Sequence, residues 1–312
     1  MKNKIAHIIS PFIAPKGSEM STVQPITFES MRRAKLYAAD HVDVELVSAQ
    51  FPEDRLVVPD YFSATPDLQR SVLDVGKLEG TRKLPLLKDI LDALHIHSDA
   101  DYFVFTNSDI GLMPQFYIAI NDMINEGRDG FIINRRRISD KYNSIEQLYQ
   151  MYSEVGEMHN GYDCFVFKRE LYKKFNLGEV CVGIPHIGNT LAHNLFCWCN
   201  DFKLYTNKHL TFHIGMELVK KWGDNAYMKH NYNSFRAVLK TLAPDLKIAN
   251  IPGAGHIFVK RHFKWLMNPN LHYPTLMLLD FRQWRAPRKK IQKNNTDHRY
   301  YEWLQRKVKL EE

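Results

Sequence analysis

The stretch "DYFVFTNSDIGLMPQFY", Asp101 to Tyr117, decides how the rest of the chain is read. Tyr102 to Phe105 form the short β-branched and aromatic run of a buried strand, and the polar cluster Thr106-Asn107-Ser108-Asp109 ends it. Open α/β sheets bind ligands in the crevice beyond the carboxyl ends of their strands. Asp109 stands at such an end. An Asp there is equally at home in a turn, bonding the local backbone, so the neighbouring elements have to decide.

Upstream, IAHIISPF (5–12) reads as a strand, and APKGSEMSTVQP (14–25) as a loop rich in Pro, Gly and Ser. Thr27 is expected to cap a helix over TFESMRRAKLYAAD (27–40), and VDVELVSAQF (42–51) alternates like a second strand. Residues 52–80 are irregular. LPLLKDILDALHIHS (84–98) is an amphipathic helix with Leu84, Leu87, Ile90, Leu91 and Leu94 on one stripe. Downstream, Pro114 opens a helix over QFYIAINDMINEG, and DGFIINRRRI (129–138) reads as one further strand. A helix near 144–156, a strand YDCFVFKRE (162–170), a helix around 186–199 and a strand pair FKLYT and LTFHIG complete the pattern. Alternating strands and helices predict a mostly parallel sheet with helices on its faces.

The 312 residues allow one large domain or two of medium size, and 45% hydrophobic with 25% charged residues is a globular composition. No apolar run approaches the roughly 20 residues of a membrane-spanning helix. The opening MKNKIAHIISPFIAP imitates a signal peptide, but His7 and Pro11 interrupt it, and a first strand is the better reading. Cys164, Cys181, Cys197 and Cys199 are too few and too clustered for a disulfide framework, so reduced thiols and a cytoplasmic setting are expected. Cys197-Trp198-Cys199 with His193 is a weaker candidate for metal binding than for buried structural cysteines. The net charge of +7 is confined to one end: residues 256–312 hold 13 Lys and Arg against 5 Asp and Glu, leaving 29 against 30 elsewhere. A basic end with interleaved aromatics suits an acidic partner such as anionic lipid or a polyanionic acceptor, or is a solvated charged face.

The order of elements around Asp109 resembles the donor half of the GT-A glycosyltransferases, nucleotide-sugar dependent and family 2-like. The likeness implies an α/β fold of GT-A type, a Rossmann-like mixed, mostly parallel sheet flanked by helices, with a basic C-terminal extension. In that family an Asp-x-Asp motif ends a central strand and holds a divalent metal on the donor diphosphate. The corresponding residues are Asn107-Ser108-Asp109, so the resemblance makes Asp109 the main ligand for Mn²⁺ or Mg²⁺ and leaves Asn107 a neutral oxygen or a ribose contact. It likewise makes His213, at the end of FKLYTNKHLTFHIG, a second metal ligand. HNGYDCFVFKREL matches the strand opening the acceptor half, with Gly161 and Asp163 as substrate-facing candidates. Where many inverting members carry a pair of carboxylates, GIPHIGNTLAHNLF offers His186 and Asn189, so either His186 or Asp163 is the general base, or the reaction is retaining. For the nucleotide, Ser10, Pro11 and Phe12 are expected to present backbone groups and a ring to the base, and Arg82 and Lys83 to meet the diphosphate. No GxGxxG, P-loop or GxSxG motif is present.

The resemblance covers about residues 1–220. It implies a catalytic domain over 1–255, with a donor half to about 138 and an acceptor half over 139–255, and a basic extension over 256–312. The implied function is metal-assisted sugar transfer from a nucleoside-diphosphate sugar to a hydroxyl of a glycan or glycolipid, in the cytoplasm, with peripheral association at the inner membrane face through the basic segment. A nucleotidyltransferase of related fold, or a non-catalytic glycan- or polyanion-binding protein, are the competing expectations. Nucleic acid is the less expected partner.

Overall fold

The computed structural model describes residues 2–76, 78, 80–216 and 225–285. Its centre is a seven-stranded sheet in the order β10-β6-β9-β4-β1-β2-β3. Strand β1 (Lys4–Ile9) runs parallel to β2 (Asp43–Ser48) and β4 (Tyr102–Thr106), and β2 is followed outward by the short β3 (Ser63–Ala64). Beyond β4, β9 (Cys164–Lys168) runs antiparallel to both of its neighbours, β4 and β6 (Gly130–Ile133). Parallel β10 (Phe202–Tyr205) closes that edge. A smaller sheet, β5-β11-β7-β8, is made of β5 (Gly111–Leu112), β7 (Arg136–Ile138), β8 (Glu157–Met158) and β11 (Thr211–Ile214). The fold is therefore the mixed, mostly parallel sheet expected from the alternation of elements.

The central strands read as continuous apolar runs because both faces are covered. Phe103, Phe105, Phe131, Phe165 and Phe167 are buried. Helices α1 (Glu19–Ala38), α3 (Leu87–His97), α4 (Phe116–Asn125) and α6 (Ile187–Trp198) supply the cover, whereas the shorter α2 (Val72–Val75) packs with Leu86 and Tyr227 and α5 (Leu148–Ser153) packs against the smaller sheet. Later in the chain come α7 (Asn225–Leu242), α8 (Phe258–Leu266) and α9 (Tyr273–Arg285). Residues to Tyr273 form one compact unit and those from Pro274 a second. Among the described residues no helix is long and apolar enough to cross a membrane.

Four expectations are corrected. Helix α1 begins at Glu19 rather than at Thr27, because Ser18 caps it and its hydroxyl accepts from the Ser21 N–H. Pro25 lies inside the helix. A proline there costs about 3 kcal/mol, offset by burial of Val23 and Ile26 against Ile138, Phe212 and Ile214. Helix α3 begins at Leu87, because the segment before it is spent on bridges of Pro85 to Ser71 and of Leu86 to Cys181. The run 129–138 is two strands in two sheets, parted at Asn134 and Arg135, and the strands FKLYT and LTFHIG likewise belong to different sheets.

His7 ties β1 to its neighbours: Nδ1 lies 2.8 Å from the Tyr117 hydroxyl on α4 and Nε2 2.9 Å from Thr106 Oγ1 on β4. Burial holds its pKa down to about 3, from the ordinary 6.5. The folded chain keeps this ring neutral while the unfolded chain protonates it, so stability rises with pH across that window and falls as pH drops below about 6.5. His193, held down to about 4, acts in the same sense. The denaturant midpoint is expected to fall steadily between about pH 6.5 and 4, with a shallower slope in His7→Gln; an unchanged slope contradicts this account of His7.

Candidate active site at the carboxyl edge of the sheet

Strand direction decides what meets at this edge. β4 delivers Asn107, Ser108 and Asp109 beyond its carboxyl end. Antiparallel β9 brings its amino end there, since Cys164 pairs with Thr106 of β4 and with Ile133 of β6, and so carries Asp163 to the same place. The chain then passes from Asp109 straight into β5, whose two residues pair antiparallel with β11: Gly111 with Phe212 and Leu112 with Thr211. This pairing sets His213 beside Asp109, with Nε2 3.3 Å from Oδ2.

Gly111 makes the approach possible. A Cβ there would stand 2.3 Å from the Phe212 ring, which is fully buried and has nowhere to go. His213 is 4% exposed, and neither ring nitrogen completes a hydrogen bond. Asn107 Oδ1 is also buried without a hydrogen-bond partner. A third acidic group, Glu19 in the first turn of α1, reaches within 3.9 Å of His213 Nε2.

On the side toward β7, Arg135 donates to Asp163 Oδ1 at 2.9 Å, and its backbone N–H donates to Oδ2 at 3.3 Å. Arg137, 4% exposed, pairs in register with His213 and donates to Glu157 Oε2 at 2.7 Å. Nε of both arginines is buried without a partner. His159 lies within this group: burial lowers its pKa first, Asp163 opposes that, and Arg135, Arg137 and His213 add to it.

The remaining expected residues are dispersed around this centre. Ser10, Pro11 and Phe12 do follow β1 at the carboxyl edge, but both backbone groups of Phe12 are taken by the Gln24 side chain, at 3.1 and 2.9 Å, and the next N–H, of Ile13, by Asp54 at 2.7 Å. The Phe12 ring is exposed. Lys83 pairs with Glu53 at 2.8 Å above the Phe51 ring, just past β2, and the backbone of Arg82 is held by the Tyr227 hydroxyl of α7.

His186 adopts a left-handed conformation, φ 85°, at the start of α6, its ring stacked on Phe235 and beside Tyr232. Burial lowers its pKa and its Nδ1 has no hydrogen-bond partner. Gly188, whose missing Cβ would stand 2.8 Å from the Tyr162 carbonyl oxygen, lets this end of α6 lie against the residue preceding Asp163. Among the described residues no hydrogen bond, ion pair or ring contact joins His186 to Asp109 or His213.

Sequence reasoning passed over Glu19, Arg135, Arg137 and His159. Only Arg135-Arg136-Arg137, three cations in one strand run, carried a visible signal.

Among the described residues no group of three or more His, Cys, Asp or Glu is gathered for a metal. A cation that takes most of its oxygens from phosphate and water needs only one or two protein ligands. A carboxylate and a buried imidazole with incomplete hydrogen bonding fit that need, and their donor atoms suit Mn²⁺.

No protein-family model matches the sequence, and no curated protein does. Solved structures with a similar course of chain include S. aureus TarS 1-349 in complex with UDP-GlcNAc, at 12% identity, 85% of this chain, 73% of that one and TM-score 0.49. The mannosyltransferase PcManGT from Pyrobaculum calidifontis, in complex with GDP-Man and Mn²⁺, is 14% identical over 92% of this chain and 76% of that one, with TM-score 0.47. Glucosyl-3-phosphoglycerate synthase from Mycobacterium tuberculosis, in complex with phosphoglyceric acid, is 13% identical over 78% of this chain and 80% of that one, with TM-score 0.40. These are likenesses of chain course, and the roles of individual residues rest on the geometry above.

Gly111→Ala is expected to displace Phe212 and part β5 from β11, costing about 1–3 kcal/mol of stability by denaturant titration. The loss of the Asp109–His213 approach should remove any Mn²⁺ binding measured in the same protein. A variant as stable as the parent, with metal binding intact, contradicts the role given to this pairing.

Proposed function

We propose that this protein is a metal-assisted glycosyltransferase of GT-A type. It moves a sugar from a nucleoside-diphosphate donor, a uridine or guanosine diphosphate sugar, to a hydroxyl of a glycan or glycolipid acceptor. The observation that carries the proposal is the convergence of Asp109 with buried His213 at the carboxyl edge of the sheet, from strands far apart in the chain. Residues 1–138 form the donor half, 139–255 the acceptor half, and the basic segment from 256 is an extension to them.

Asp109 and His213 would hold Mn²⁺ or Mg²⁺, with the neutral oxygen of Asn107 beside them. Bound there, the cation supplies positive charge against the departing diphosphate. Glu19 supplies part of the negative charge that Asn107, in place of a first Asp, does not. Arg137, the register partner of His213, and Arg135 in the same run stand closer to this centre than Lys83, which lies past β2, although each of the three cations has a carboxylate partner. Ser10, Pro11 and the exposed Phe12 ring line the nucleotide side.

On the acceptor side, Asp163 is committed to Arg135 and positions it. His186 keeps a ring nitrogen without a hydrogen-bond partner in a ring that burial keeps neutral, the state a general base needs. The strained backbone at His186 adds to this assignment, since such strain is concentrated at functional positions.

Asp109→Ala is expected to weaken binding of Mn²⁺ with UDP or GDP by at least tenfold in calorimetry, and His213→Ala by about tenfold. Parent-like binding in both variants would falsify the site. His186→Asn is the sharper probe of the base, because Asn tolerates the left-handed conformation. Turnover should fall roughly 100-fold with nucleotide affinity unchanged. Because burial depresses the His186 pKa, the acid limb of the parent's pH–rate profile should lie below the ordinary imidazole range. A limb at or above that range argues for another base.

A further inference from the structure

Helix α8 has one face turned inward. Trp265 is fully buried, with Nε1 donating to the Pro252 carbonyl at 2.9 Å, and His262 lies beside it. The remaining faces are unusual. Val259, Phe263, Leu266 and Met267 fall within about 100° of helical arc and are 75%, 64%, 59% and 65% exposed. Ile257, just before the helix, is 77% exposed. Single exposed apolar residues are ordinary, whereas a contiguous group of this size marks an interaction surface.

Charge says what kind of surface would cover it. Exposed Lys260 and Lys264 border the apolar arc, and no Asp or Glu occurs anywhere in residues 246–279. Apolar side chains flanked by lysines whose stems can extend to a polar layer are the pattern of a helix lying in the headgroup region of an anionic bilayer. The turn after α8 adds a link to the acceptor half: Asn270 donates to the Asn160 carbonyl at 2.8 Å, and Asn189 of α6 donates to the Asn270 carbonyl at 2.9 Å.

We propose that α8 is an interfacial helix that seats the protein on an anionic lipid bilayer. Val259, Phe263, Leu266 and Met267 enter the boundary of the acyl chains, and Lys260 and Lys264 meet lipid phosphates. The turn at Asn268–Asn270 then holds Asn160 and the start of α6 close to the lipid surface, where a lipid-borne acceptor hydroxyl would be presented. The docking itself does not depend on the donor chemistry, and its test reads lipid binding alone.

The experiment is co-sedimentation of the full chain with vesicles of phosphatidylcholine, alone or mixed with phosphatidylglycerol. The parent protein should sediment with the mixed vesicles and about tenfold less with phosphatidylcholine alone. Phe263→Asp with Leu266→Asp should reduce binding at least tenfold, and Lys260→Glu with Lys264→Glu should reduce it and flatten its salt dependence. These side chains are exposed, so unchanged thermal melting verifies that the variants are folded. Val259→Trp should bind more tightly, with a blue shift of its fluorescence on vesicles. Three results would overturn the proposal: a parent protein that stays in the supernatant, an α8 double-Asp variant that sediments like the parent, or binding lost only on charge reversal of Arg288, Lys289 and Lys290.

Discussion

The antiparallel contact of β5 with β11 is only two residue pairs long, yet the arrangement at the carboxyl edge of the large sheet depends on it. It fixes His213 two residues' reach from Asp109, and it does so because position 111 has no side chain to hold the Phe212 ring away. The other half of the small sheet reinforces it, since β11 also pairs with β7 and so brings Arg137 to the far side of the same histidine. Acidic, imidazole and guanidinium groups are thereby collected from segments widely separated in the chain.

The reversal of β9 plays the matching part within the large sheet. A parallel strand between β4 and β6 would have carried Asp163 to the opposite edge, among the amino ends of the strands. Running antiparallel, it sets Asp163 next to the residues that follow β4 and lets Arg135 close over it. Gly188 then allows α6 to crowd the same strand end. Burial lowers the pKa of His159 beside this group, and that of His186 where its ring packs on Phe235 and Tyr232.

The sequence carried the strands well where packing is two-sided, because Tyr102–Phe105 and Cys164–Phe167 are apolar on both faces and admit little else. Strand direction was not legible, since alternation and hydrophobicity are the same read either way. The start of α1 was missed because Gly17 and Pro25 are loop signals by propensity, while burial of Val23 and Ile26 decides the outcome. The division of residues 129–138 between two sheets has no local mark, for its cause is the distant partner each half finds. Of the residues that meet at this edge, Asp109 was visible as a polar residue at a strand end, and His213 was singled out only through the family resemblance. Glu19, His159 and the two arginines were not, since their place depends on tertiary contacts that no spacing encodes.

Gly111 and Phe212 are about a hundred residues apart, and loop closure over such a length is slow and comes late in folding. During synthesis the large sheet can begin to assemble from β1, β2 and β4 while the ribosome still holds the residues of β11. The approach of Asp109 to His213 therefore cannot exist on a nascent chain that has not reached residue 213, and a fragment ending before that point would carry the large sheet's first strands without it.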